Sequence, residues 1–158
     1  MANTQSMCTS FMGELMTATH NFGTAPTRGT SAADTFKAAL FLASATIDAS
    51  TTAYSATGEV SGSGYTAGGI AVTAATPPTA TNASATAGVA FFTPSASLVY
   101  TSVTLTTAFD AVLIYNSSQS NKAVSVHTFG SQTISAGTFT LTMPADTTST
   151  ALLRLATT

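Results

Sequence analysis

Between Gly137 and Pro144 the chain reads Thr-Phe-Thr-Leu-Thr-Met, three large apolar side chains alternating with three threonines. Strand side chains alternate between two faces, so Phe139, Leu141 and Met143 share one face and Thr138, Thr140 and Thr142 the other. A helix would scatter both sets around its circumference. The segment therefore reads as a strand with its apolar face turned inward, opened by Gly137 and closed by Pro144, which has no backbone N–H for a ladder. Residues 109–115, Phe-Asp-Ala-Val-Leu-Ile-Tyr, are apolar on both faces, the pattern of a central strand covered from two sides. Val124 and Val126 resume that character after the polar run 116–121, so 109–115 and 122–129 read as a hairpin. With 36–43, 68–74, 87–92, 98–106, 137–143 and 149–156 there are about eight strands. The expected fold is mainly β, an antiparallel β-sandwich or jelly roll with a short N-terminal helix or arm. Residues 36–43 also fit a helix capped at Asp34, and on sequence alone both readings stand.

Met7, Phe11, Met12, Leu15 and Met16 fall on one stripe of a helix of about three turns. Thr17, Thr19, Asn21, Gly23 and Pro26 follow, and residues 20–33 read as an irregular connection. The organisation expected is a helix and extended arm over 1–33 and a β body over 34–158. An isolated helix this short cannot bury such a stripe, so these five residues are the candidate partner-binding arm, seated on the body or on another subunit. Residues 58–69 are a glycine-dense loop. Residues 74–86, with Pro77-Pro78 and no large apolar side chain, read as an exposed connection instead of a strand.

Composition excludes more than it selects. Only 10 of the 158 residues are charged, whereas 33 Thr, 29 Ala and 19 Ser make up 81 positions, so the polar surface is largely hydroxyl. A net charge of −2 with 44% hydrophobic residues is the opposite of a disordered composition. Four cations cannot neutralise a row of phosphates, so nucleic acid is not an expected partner. The strongly apolar runs 88–92 and 111–115 are far short of the roughly 18 residues of a membrane span, and no membrane partner is expected. The first twenty residues lack Lys and Arg, so no secretory signal is expected. Cys8 is the one cysteine, which excludes an intrachain disulfide. Asn82 and Asn116 begin N-x-S/T triplets, which a chain this rich in Ser and Thr produces by chance.

No catalytic residue, cofactor or metal site is expected. Gly62-Ser-Gly64-Tyr-Thr-Ala67 matches the G-x-G-x-x-A dinucleotide pattern, yet no strong strand precedes it, no helix follows, and it reads as a tight turn. His20, His127, Asp110 and a serine are the ingredients of a nucleophile, base and orienting acid, without a G-x-S-x-G elbow to anchor them. The carboxylates Glu14, Asp34, Asp48, Glu59, Asp110 and Asp146 are scattered singly, without calcium-loop spacing. Arg28, Lys37, Lys122 and Arg154 are equally isolated.

Particular segments carry a family resemblance: Ser10-Phe-Met-Gly-Glu-Leu15 with His20-Asn-Phe22, Asp34-Thr-Phe-Lys-Ala-Ala-Leu40, Thr51-Thr-Ala-Tyr54, Gly58-Glu-Val-Ser-Gly62, Gly64-Tyr-Thr-Ala-Gly-Gly69, Leu113-Ile-Tyr-Asn116 and Asn121-Lys-Ala-Val124. Their order resembles a family of small virion proteins of tailed bacteriophages, over most of the chain except 75–100. The resemblance implies a capsid cement or decoration protein of mostly β structure with no catalytic residues. Its partners would be the major capsid protein and copies of itself, a homo-oligomer such as a trimer. It would sit on the capsid outer surface of a virion assembled in the host cytoplasm. The apolar stripe, independently of the resemblance, leads to the expectation that residues 1–22 dock on another subunit or the capsid and are mobile in the free protein. The rival readings are a tail, neck or fibre component, or a glycan-binding β-sandwich. The absence of Trp, and four tyrosines set in strand or turn patterns, weigh against the last.

Overall fold

The computed structural model describes residues 2–16, 18–22, 33–73, 79–80 and 88–156. Its elements in chain order are β1 (Ser6–Met7), α1 (Thr9–Met16), β2 (Phe36–Leu42), β3 (Ile70–Val72), β4 (Thr79–Ala80), β5 (Val89–Phe92), β6 (Leu98–Asn116), β7 (Lys122–Leu141) and β8 (Leu153–Ala156). The fold is mainly β and antiparallel. One sheet has the order β1-β7-β6-β2-β3 and a second the order β4-β5-β8. Residues 36–42 are a strand, not a helix, because both faces of this segment are covered and β6 pairs along its whole length.

Four of the expected strands are in fact two. Segments 98–106 and 109–115 join as β6, of 19 residues, and 122–129 and 137–143 join as β7, of 20 residues ending at Leu141. The ribbon they form is bent by bulges on either side of Phe109. Residues 106–108 stand opposite Thr133 alone, and 129–131 stand opposite Asp110 alone. Phe109 is fully buried at the bend, in edge-to-face contact with Phe129 at 5.9 Å and Phe139 at 5.1 Å. The far end of the ribbon returns over the sheet, so Leu98, Tyr100, Val103 and Leu105 pack on Ala38, Leu40 and Val112. Tyr100 Oη donates to the Ala38 carbonyl at 2.8 Å. Phe139, Leu141 and Met143 are half-buried against this cluster, while Thr138, Thr140 and Thr142 are exposed, as their alternation requires.

The glycine-rich loop seals the edge of this layer. Gly64 has φ +78, and a Cβ there would lie 2.2 Å from the Ser102 carbonyl oxygen. At Gly69, with φ +71, a Cβ would lie 1.7 Å from the Ala38 oxygen. Only glycine permits both the backbone conformation and the approach.

Two expectations about the N-terminal region are corrected. The helix has two turns, not three. Met7 belongs to β1, opposite Ser125, and α1 ends where Ala18 takes φ +54, with Ala18 N–H bonded to the Leu15 carbonyl and Thr19 N–H to that of Glu14. Those paired bonds are a Schellman stop with alanine in the left-handed position. Nor are residues 2–22 an arm apart from the body, because Cys8 and Phe11 lie in the core with Phe41, Leu113, Val124 and Val126. The stripe meets the chain's own sheet first, and burying it there removes it from water without a partner. The segment 74–86 also departs from expectation where Thr79–Ala80 pairs with Ala90 and Phe91 as β4. The remainder of that stretch, Asn82, Arg28, most of the 20–33 connection and the Met16 side chain lie outside the described residues, while Ala33 and Asp34 at the expected boundary are described and stand just ahead of β2.

Phe109→Ala should cost about 3–5 kcal/mol, a large part of a domain's stability, and Thr140→Ala should stay within about 0.5 kcal/mol, both read from urea unfolding. Comparable losses at the two positions would contradict the bend. Removing residues 2–22 strips Cys8 and Phe11 from the core, so the shortened chain should lose its cooperative unfolding transition. An unchanged denaturant midpoint would show the segment to be peripheral.

Candidate functional site

The polar groups that sequence reasoning singled out fall into three separate places. The first is a network that fastens the N-terminal segment to the β6–β7 turn. Asn116, fully buried, points Nδ2 at Asp34 Oδ2 (2.7 Å) and at His20 Nδ1 (3.1 Å), and its Oδ1 accepts from Ser118 N–H (3.1 Å). This orientation of the amide makes His20 Nδ1 an acceptor, so Nε2 carries the hydrogen and donates to Glu14 Oε2 at 2.7 Å. Lys122 Nζ donates to the other Glu14 oxygen, and Gln119 and the Asn21 N–H donate to Asp34. Burial pushes the Glu14 carboxyl up, but the hydrogen bonds from Lys122 and His20 outweigh it and hold the group below the usual carboxylate range. Both nitrogens of His20 are thus committed, and the Asn116 side chain is locked inside the fold, where no glycan can be attached.

The second place is β7, where Ser125 Oγ and His127 Nε2 lie 2.9 Å apart on one strand face. Ser125 is 1% exposed, and burial pushes the His127 imidazole down to about 4. Asp110 is engaged elsewhere, accepting from Asn3 Nδ2 at 2.6 Å. His20, His127 and Asp110 are therefore not brought together. The described contacts of His127 include Ser125 and no carboxylate.

The third is Glu59, in the glycine-rich loop. Its carboxylate accepts from Tyr54 Oη (2.6 Å), Tyr65 Oη (2.7 Å) and Gly68 N–H (2.8 Å), and the Gly68 carbonyl accepts from Tyr115 Oη (2.8 Å). Tyr65 Oη also accepts from Leu40 N–H (3.0 Å). Burial, and then the neighbouring carboxylate, push the Tyr54 and Tyr65 phenols well above their ordinary range. Gly62 and Gly64 press against β6 instead of opening a helix, so the dinucleotide pattern is a turn. Sequence reading missed this cluster because its members stand on β6 and two stretches of loop, with no shared spacing.

No group of three His, Cys, Asp or Glu side chains is placed to hold a metal ion among the described residues. Cys8 is buried, and burial, followed by the charges of Asp48 and Glu14, pushes its thiol up to about 11, which leaves it unreactive. No helix is long and apolar enough to cross a membrane among the described residues.

The candidate arm residues divide by environment. Phe11 is buried, Met7 and Leu15 are half-buried, and Met12 is 47% exposed. Met7, Phe11, Leu15 and Phe22 form one wall of an apolar groove of about 90 Å³ whose other wall is Phe91, Phe92, Leu153 and Leu155 of the small sheet. Leu155 is 46% exposed. The groove gathers apolar side chains from β1, α1, β5 and β8, segments far apart in sequence, with Met7, Leu15 and Phe22 half-buried and Leu155 exposed, which makes it the candidate interaction site. No protein-family model matches the chain, and searches of curated proteins and of solved structures returned no match.

His127 generates a pH prediction. Its value in the fold, about 4, lies below the 6.5 of an unfolded histidine, so the unfolded chain binds the proton more tightly. The stabilisation is complete above about pH 6.5 and is lost as pH falls towards 4. Unfolding free energy should fall by about 2 kcal/mol between pH 7 and pH 5, a drop that His127→Gln removes. A flat profile over that window in the unsubstituted chain would place the imidazole in contact with water.

Proposed function

We propose that this chain is a structural protein of a tailed-phage virion, a cement or decoration protein that binds the outer surface of the major capsid protein lattice and stabilises the head. Its sequence resemblance supports this, and the apolar groove between the N-terminal segment and the small sheet is the observation that carries it. Among the described residues Met12 and Leu155 are two of the three large hydrophobic side chains left exposed, and they come from elements that line that groove. The groove's lining is apolar except for Arg154, so seating a partner there desolvates few charges, each of which would cost several kcal/mol to bury. A net charge of −2 promotes association in a free monomer and suits a subunit held in a fixed assembly as a homo-oligomer such as a trimer.

Copy number in purified virions tests the assignment. The protein should approach the abundance of the major capsid protein, and a few to tens of copies would assign it to the tail, neck or fibre. Met12→Glu and Leu155→Glu change exposed positions, so the fold should survive while reattachment to stripped heads is lost. Full reattachment of both variants would remove the groove from the interface.

A further inference from the structure

In the five-stranded sheet β7 is paired on both sides over only a short length. β6 runs beside it from Lys122 to Leu141, whereas β1 reaches only Ser125 and Val126 on the other side. From Phe129 to Met143 no backbone hydrogen bond is made on that other side among the described residues. Unpaired N–H and C=O groups along an edge are a template for another strand, and edges are ordinarily blunted by a lysine, a proline or an inward-pointing charge. Residues 129–143 hold no charged residue and no proline. Two irregularities break the first part of this edge, the bulge at 129–131 and Ala136 with φ +47. Beyond Ala136 no residue of β7 takes a left-handed conformation, and Pro144 closes the stretch. What remains open is Gly137-Thr-Phe-Thr-Leu-Thr-Met143, with Thr140 at its middle.

We propose that this edge pairs with the same edge of a second copy of the chain, antiparallel about a two-fold axis at Thr140. The stretch itself selects that occupant. Antiparallel pairing centred on Thr140 sets this residue opposite its own copy, Thr138 opposite Thr142 and Phe139 opposite Leu141, so threonine meets threonine on one face and apolar meets apolar on the other. Thr138, Thr140 and Thr142 are exposed in one chain, and threonines opposite each other across a strand pair hydrogen-bond. Phe139 and Leu141 are half-buried, and the second copy's Leu141 and Phe139 continue the apolar layer beside them and take more of both out of water. A charged stretch would repel its own copy, whereas this one is neutral. A two-fold contact uses one patch twice and closes on itself, so the species formed is a dimer in which no part of 137–143 is left as an open edge. The inference rests on the edge and not on the virion reading. Where that reading allows more than one homo-oligomer, the edge selects the two-fold form.

The test is sedimentation of the full chain over a dilution series, which should show a reversible equilibrium between monomer and dimer. Thr140→Lys and Thr140→Glu each set like charges opposite one another across the two-fold, and each alone should shift that equilibrium about fivefold or more towards monomer. Mixing the two variants sets Lys opposite Glu and should restore the dimer, a gain that misfolded chains could not give. Thr140→Cys is the second measurement: on oxidation it should yield a cross-linked dimer that a thiol reductant reverses, while Thr107→Cys, at an exposed position of β6, should not. Cys8 is buried and does not compete. A chain that is monomeric at every concentration, an oligomer that both charged variants leave unchanged, no gain on mixing them, or equal cross-linking from positions 140 and 107 would overturn the proposal.

Discussion

Phe109, enclosed edge-to-face by Phe129 and Phe139, holds the point at which two paired strands of 19 and 20 residues turn back on themselves. A straight ribbon of that length would carry its apolar residues away from the sheet. Extra residues on β6 and then on β7, opposite single partners, flank Phe109 among several register shifts along the ribbon, and the ring cluster fills the inside of the bend there. One hairpin thereby supplies the middle of the five-stranded sheet and much of the layer covering it. The glycine-rich loop, the Tyr100 bond to Ala38 and the half-buried Phe139 and Leu141 all depend on this return.

A chain with so few charges places them sparingly. Glu14, His20, Asp34 and Lys122 gather at the β6–β7 turn, where they join the N-terminal segment to the body through Asn116. Glu59 takes three donors in the glycine-rich loop, and Asp110 receives Asn3. Each of these carboxylates is part-buried and accepts at least one hydrogen bond, which offsets the desolvation penalty of a charged group in a fold. The outer face of the ribbon is left to threonine, whose methyl suits a strand and whose hydroxyl suits water.

The apolar groove lies on the face of the main sheet that carries Ser125 and Ile114. Met7 pairs with Ser125, which pairs with Ile114, so Met7 shares their face, whereas Leu113 and Phe41 point the other way. The groove also rests on the N-terminal segment, through Met7 and Phe11, and the same segment ties down the 43–58 loop through Asn3.

The alternation at 137–143, the doubly apolar run 109–115 and the hairpin through 116–121 were legible because strand periodicity and turn chemistry are local. They determined a mainly β chain and which way Phe139 and Thr140 face. The merging of four segments into two bent strands was not legible, since a bulge is decided by how many residues the partner strand sets opposite, and nothing in Thr106-Thr107-Ala108 marks it. The stripe of Met7, Phe11, Met12, Leu15 and Met16 announced a surface in need of cover without naming that cover. Tertiary structure decided it, burying Phe11 in the chain's own core and leaving Met12 in water, because the free energy of burial depends on which apolar face lies within reach and not on the order of residues along the helix.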